Sequence, residues 1–263
     1  MNAAKRTLYR IADAEIRNCI AAYLSLSKAT SGFSKIEPAN LEDARARTIL
    51  LAGYGVHDDL TPEGAVEEWK RRQALPFDLE TAISVGVYRD IRATGVKFYD
   101  ELEEQTEGFQ KFDPAFIRAN PNLLPLFQHL AGVFSKAALV GLIGSANDNN
   151  ISRPSAQKLA QLLRERVKPK QINKGEVLKR LESTLEGIVR DLVGRVLLES
   201  IVDSALSDRK LAYKREDEYS VLRGVVYDFR ADFVLPNEVE PMAFIEVRKS
   251  SSRHASLYAK DKM

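Results

Sequence analysis

Two acidic residues near the C-terminal end of the sequence, Asp232 and Glu246, have the spacing that most directly suggests chemistry. Each lies in a run rich in β-branched and aromatic residues, 225–235 and 242–248, and a proline-asparagine pair between the runs favours a turn. Side chains alternate faces along a strand, so the sequence predicts a hairpin with both carboxylates on one face. Charges within apolar strands are costly to bury unless they are paired or bind a metal. Two carboxylates would form an oxygen-rich site suited to Mg2+.

The same alternation predicts which side of the first strand faces the core. Asp228 and Arg230 share the face of Asp232, where Asp228 is either a spare carboxylate or the partner of Arg230. The opposite face is purely apolar and is expected to be the core side. It consists of Val225, Tyr227, Phe229, Ala231, Phe233 and Leu235.

The pattern resembles a known family. An aspartate on one strand, a short turn and then Glu-x-Lys on the next strand is the signature of the PD-(D/E)xK nuclease superfamily, and Asp232 with Glu246-Val247-Arg248 resembles it. Within that superfamily, residues 175–263 are most similar to the catalytic core of a type II restriction endonuclease of a restriction-modification system. The resemblance implies Mg2+-dependent hydrolysis of phosphodiester bonds in double-stranded DNA, with Asp232 and Glu246 as metal ligands.

The third position of the signature departs from the family pattern. Arg248 shares the face of Glu246, whereas Lys249 points to the other side of a regular strand. An arginine stays protonated, so Arg248 could stabilise phosphate charge but could not act as a base. A bulge at Arg248 would instead turn Lys249 into the site. The sequence leaves both residues as catalytic candidates.

A further carboxylate comes from a long helix predicted over residues 174–206. Its apolar stripe is interrupted by Glu199, and a glutamate there is expected to be buried with a partner. By resemblance, the first core helix of the nuclease family supplies a glutamate to the metal site, which would make Glu199 the third ligand. Glu186 is the second choice, and a surface pair of Glu199 with Arg195 is the structural alternative.

Charge is distributed unevenly along the chain. Nine basic and two acidic residues lie between positions 153 and 180, which is suited to a phosphate backbone, although a solvated helix pair explains it equally well. We expect DNA contacts here and just after the strand motif. The candidates are Arg164, Arg166, Lys168, Lys170, Lys174 and Arg253.

The rest of the chain predicts an α+β protein with a helical N-terminal domain, residues 1–150, and a nuclease-like core of a long helix and a mixed sheet, residues 151–263. Helix start signals precede positions 41, 62, 78 and 114, and residues 123–144 are apolar nearly all round, as in one buried helix. The polar segment 145–155 is the expected linker between domains. The family core continues after its Glu-x-Lys strand with a helix and another strand, so the core is expected to be incomplete at residue 263; the missing part is either absent, supplied by another chain or built from the N-terminal part.

Partners and location follow from the same observations. A palindromic DNA site would require a two-fold homodimer. One cysteine, Cys19, fits a reducing cytoplasm, and no apolar run is long enough to span a membrane. The main alternative is a non-catalytic DNA-binding or regulatory protein, for which the helices after residue 155 loosely resemble helix-turn-helix spacing. A third possibility is a helical protein-interaction module with an oligomerisation domain.

Overall fold

The computed structural model of the chain describes residues 6–224 and 226–247. This part of the chain is mostly helical with a small three-stranded antiparallel sheet, which confirms the α+β class at the coarse level. The helices are α1 (Leu8–Ala29), α2 (Ala44–Gly53), α3 (Pro62–Arg72), α4 (Leu79–Gln105), α5 (Pro114–Ala119), α6 (Leu124–Leu130), α7 (Lys136–Ile143), α8 (Arg153–Arg166) and α9 (Lys174–Asp208). The strands are β1 (Lys214–Arg215), β2 (Phe233–Leu235) and β3 (Ala243–Ile245).

Side-chain caps fix where most of these helices begin. Thr61, Asp78 and Asp113 each accept a hydrogen bond from a backbone N–H of the first turn that follows, which confirms the starts predicted for α3, α4 and α5. The start predicted at Asn40 is wrong, because α2 is capped by Asp43. Asn40 instead accepts from the N–H of Glu37 at the start of a short 3-10 helix.

The apolar segment 123–144 does not form the single buried helix that was predicted. Gly132 has a φ of +67°, which ends α6, and Ser135 then caps α7. The second helix is only partly buried, since Val140 and Leu142 are exposed. Gly132 and Ser135 therefore divide the segment into two helices, although its apolar pattern favours one. Gly132 adopts a positive φ that a helix does not allow, and the Ser135 side chain caps the start of α7.

The chain divides into two compact units, residues 1–190 and 191–263, and the division falls within α9. In the first unit α4 packs against α1 and α2, and α8 packs against α5, α6 and α7. Residues 144–152 between α7 and α8 are irregular and lie inside the first unit, and α8 begins at Arg153, within the segment 145–155 that was predicted to be a linker between domains.

The second unit contains the sheet, in the order β1-β2-β3 with both pairs antiparallel. The long strand predicted over 225–235 is wrong for the described residues, because β2 covers only Phe233–Leu235 and an isolated bridge joins Leu222 to Phe229. The predicted core face holds for Ala231 and Phe233 and fails for Tyr227, which is 71% exposed.

Alternation along the strand would put Val234 on the same face as Asp232, opposite the core, yet Val234 is buried. It packs in a small apolar cluster with Tyr219, Leu222, Ala231 and the partly buried Phe229. Both faces of β2 are therefore covered, which removes the one-sided burial that the alternation argument assumes.

Candidate metal site on the β2–β3 hairpin

The register of the β2–β3 hairpin determines where the two predicted carboxylates lie. Phe233 pairs with Ile245, Val234 with Phe244 and Leu235 with Ala243. Continuing this antiparallel register by one position puts Asp232 opposite Glu246, where Cβ atoms are typically about 4.5–5.5 Å apart. Both residues are partly exposed to solvent. The hairpin thus brings together the pair that the sequence singled out.

Asp232 also joins the ends of the two strands through its side chain. Its Oδ2 atom accepts a hydrogen bond of 2.5 Å from the backbone N–H of Val247, directly after Glu246. A carboxylate offers about four lone-pair positions on two oxygens, so one such bond leaves room for a metal ion. The backbone carbonyl of Asp232 accepts a hydrogen bond from the N–H of Glu216 at 3.0 Å, which ties Asp232 to the segment that directly follows β1.

The residue before Asp232 is held by a buried tyrosine hydroxyl. The Tyr219 hydroxyl donates to the carbonyl of Ala231 at 2.5 Å and accepts from the N–H of the same residue at 2.7 Å. Tyr219 and Ala231 are both buried, and Phe233 on the other side of Asp232 is buried as well. Asp232 therefore sits between two fixed backbone positions. Sequence analysis missed Tyr219 because its role depends on a contact twelve residues away.

Glu199 does not complete a three-carboxylate group with this pair. It lies on α9 between the buried residues Val196 and Leu206 and is itself only partly buried. Among residues 6–224 and 226–247, the side chains of His, Cys, Asp and Glu form no group of three or more that could hold a metal ion. Glu186, the second choice, is exposed.

Three predicted site residues, Arg248, Lys249 and Arg253, lie outside the described residues. The choice between Arg248 and Lys249 therefore stays a prediction. Arg230 does have a described partner: its guanidinium donates to the carbonyl of Glu216, and its Nε lies 3.6 Å from a carboxylate oxygen of that residue.

Three of the predicted DNA-binding cations contact the protein itself. Arg164 donates to the carbonyl of Phe112 at 2.6 Å, and Arg166 donates to the carbonyl of Ala131 at 3.2 Å. The Lys174 ammonium forms an ion pair with Asp100 and lies 5.4 Å from the centre of the Tyr99 ring. These contacts stabilise the first unit.

The remaining two candidates, Lys168 and Lys170, are exposed on the turn between α8 and α9. Both are therefore accessible to a charged partner.

Comparison of the chain with protein-family models, with curated proteins and with solved structures gives no match. None of the helices in the described part of the chain is long and apolar enough to cross a membrane. Inference about function therefore starts from the residues of this chain.

Proposed function

We propose that the protein is a Mg2+-dependent endonuclease that hydrolyses phosphodiester bonds of double-stranded DNA. Two observations support the proposal: the β2–β3 register, whose continuation by one position puts Asp232 opposite Glu246, and the hydrogen bond from the N–H of Val247 to the Asp232 carboxylate. Two partly exposed carboxylates at one point fit a hard divalent cation that also needs open positions for water and phosphate. The proposal is also supported by the order of residues along the hairpin, an aspartate followed by a turn and then a glutamate, which resembles the PD-(D/E)xK superfamily.

Each residue has a proposed role. Asp232 and Glu246 hold the metal ion, which when bound lowers the pKa of a water ligand and neutralises charge on the phosphate. Glu199 is proposed as a further ligand on the family resemblance alone. Arg248 or Lys249 holds the scissile phosphate or orients the attacking water. Tyr219 positions Asp232 by fixing the Ala231 backbone.

More specifically, we propose a site-specific type II restriction enzyme that acts on DNA in the cytoplasm as a homodimer. A two-fold dimer would match a palindromic site, since each subunit would present one hairpin to one strand. Residues 1–150 are proposed to recognise or clamp DNA, and residues 151–263 to carry the chemistry. Lys168 and Lys170, with Arg164, Arg166, Lys174 and Arg253, are proposed to contact the phosphate backbone.

The proposal is tested by incubating plasmid and phage DNA with the protein in Mg2+ and in EDTA. We expect discrete fragments that require Mg2+ and that disappear in Asp232→Asn and Glu246→Gln. The matched controls are Asp217→Asn and Glu240→Gln, which remove an exposed carboxylate from the same unit and should cleave as the unaltered protein does. Salt-sensitive DNA binding with no cleavage would favour the alternative, a DNA-binding or regulatory protein.

A further inference from the structure

A polar pocket of about 320 Å³ lies in the first unit, bounded by the ends of α6 and α8 and the start of α9. At roughly 30 Å³ of liquid volume for each water, it has room for about ten waters or for a small anion with part of its hydration shell. Its charged lining consists of Arg166, Lys168 and Arg180 with the single carboxylate of Glu176. Three cations facing one carboxylate leave an excess of two positive charges.

Contacts within the protein keep two of these cations in place. Arg166 donates to the carbonyl of Ala131 at 3.2 Å. The Arg180 guanidinium lies over the ring of Phe134, 5.9 Å from its centre, and 3.6 Å from the Glu176 carboxylate. The pocket therefore has a defined arrangement of charge before any ligand enters.

A buried histidine also lines the pocket. His129 is only 3% exposed, and its Nε2 atom lies 3.0 Å from the Thr184 hydroxyl oxygen. Its Nδ1 atom is buried and has no hydrogen-bond partner in the described part of the chain. Because this atom is buried, His129 forms part of the wall of the pocket and supplies no donor to a ligand inside it.

The start of α9 adds to the positive potential. This helix has 35 residues, and the Asn173 side chain accepts from the N–H of Glu176 at 3.2 Å in its first turn. Aligned peptide dipoles make the beginning of a helix attractive to anions, and the effect is strongest within that first turn.

We propose that this pocket binds a phosphate group, either from a free phosphorylated small molecule or from a nucleic-acid backbone. A free phosphate or a phosphate monoester, as a dianion, matches the excess of two charges, whereas a backbone phosphodiester carries one negative charge and balances half of it. The oxygens of either can accept from several donors at once. The proposal does not depend on the metal site, because none of the pocket residues belongs to the β2–β3 hairpin. Two of them, Arg166 and Lys168, are among the DNA contacts proposed above.

The test is a titration of the full chain with inorganic phosphate at constant ionic strength, with chloride as the matching salt, in which the melting temperature is measured at each concentration. We expect the melting temperature to rise to a plateau with phosphate and to stay constant with chloride. Lys168→Gln and Arg180→Gln should each weaken phosphate binding about tenfold or more, since each removes a charge-assisted hydrogen bond. Lys179→Gln removes an exposed charge next to Arg180 but outside the lining, and should bind as the unaltered protein does.

The proposal would be overturned if phosphate had no saturable effect, or if both lining variants bound phosphate as tightly as the unaltered protein. Lys168 is exposed, so its variant is expected to fold, which the melting temperature without phosphate verifies. Asp232→Asn should keep full phosphate affinity even where it abolishes cleavage. That comparison separates failure of the pocket from failure of the nuclease proposal.

A second arm identifies the source of the phosphate. A short DNA duplex is titrated at several salt concentrations into the unaltered protein, Lys168→Gln and Lys179→Gln. If the pocket takes a backbone phosphate, Lys168→Gln weakens duplex binding and lowers the salt slope by about one, and inorganic phosphate competes with the duplex. If the ligand is a free phosphorylated molecule, the two variants bind the duplex equally.

Discussion

Tyr219 shows how a residue outside the proposed metal site can determine its geometry. Its hydroxyl satisfies both backbone groups of Ala231 in a buried environment. A buried donor or acceptor that loses its partner costs about 1–3 kcal/mol.

Tyr219→Phe should therefore lower the free energy of unfolding by about 2–3 kcal/mol, because it removes both of these hydrogen bonds at once. Urea denaturation measures the change. Tyr227→Phe is the matched control, since Tyr227 is largely exposed, and it should leave stability unaltered. Equal stability of the two variants would show that the Tyr219 hydroxyl does not hold the Ala231 backbone.

Cys19 offers a test of the first unit at the same scale. Its side chain is fully buried on α1, and burial raises the pKa of its thiol to about 11, although Arg45 opposes the shift. At pH 8 the thiol should stay protonated and react with a thiol-specific reagent only after denaturation, since the thiolate is the nucleophile. Rapid reaction of the native protein would contradict this packing.

His129 predicts a dependence of stability on pH. Burial and the nearby Arg180 charge lower the pKa of His129 below its ordinary value of 6.5, so the unfolded chain binds a proton more readily than the folded one. Stability should then fall as the pH drops through 6.5. The difference in urea stability between pH 7.5 and pH 5.5, in a buffer free of phosphate, should be smaller in His129→Gln. An equal difference would contradict a buried neutral histidine.

At the scale of elements, two glycines of α4 lie where this helix contacts its neighbours. A Cβ added at Gly86 would lie 3.5 Å from the Cys19 sulfur, and one added at Gly95 would lie 3.1 Å from a Leu181 methyl carbon. The Gly86 distance is an ordinary van der Waals contact, whereas the Gly95 distance is closer than a Cβ usually packs, so Gly95 serves the close packing of α4 against α9.

Gly95→Leu should lower the free energy of unfolding by about 1–3 kcal/mol, because the larger side chain overpacks the contact with α9. Gly141→Leu on α7 is the matched control, since a Cβ there meets nothing within 4 Å and helix propensity favours leucine over glycine. Thermal or urea denaturation compares them. A destabilised Gly141→Leu, or an unaffected Gly95→Leu, would contradict the packing of α4.

The elements also show how far sequence reasoning extends. Local signals predicted the starts of α3, α4 and α5 and nearly the full length of α9, because caps and helical periodicity act within a few residues. The strand lengths were wrong, since they depend on distant pairing partners. Alternation and a turn were nevertheless sufficient to predict a hairpin that pairs the segments next to Asp232 and Glu246. The Tyr219 contact and the pocket at His129 required the tertiary structure.

At the scale of the whole molecule, the proposed chemistry and the proposed phosphate pocket belong to different units. The hairpin lies within residues 191–263, and the pocket lies within residues 1–190. A nuclease needs both a metal site and phosphate contacts. Binding and cleavage should therefore be separable by mutation.

The rate of cleavage of supercoiled plasmid at saturating Mg2+ tests the central claim most directly. It is compared among the unaltered protein, Glu246→Gln and Glu240→Gln, with DNA binding verified by gel shift. We predict that Glu246→Gln loses at least about a hundredfold in rate while Glu240→Gln loses nothing, because a metal ion contributes several kcal/mol to the transition state. No Mg2+-dependent cleavage by the unaltered protein, or equal cleavage by all three, would contradict the proposed site.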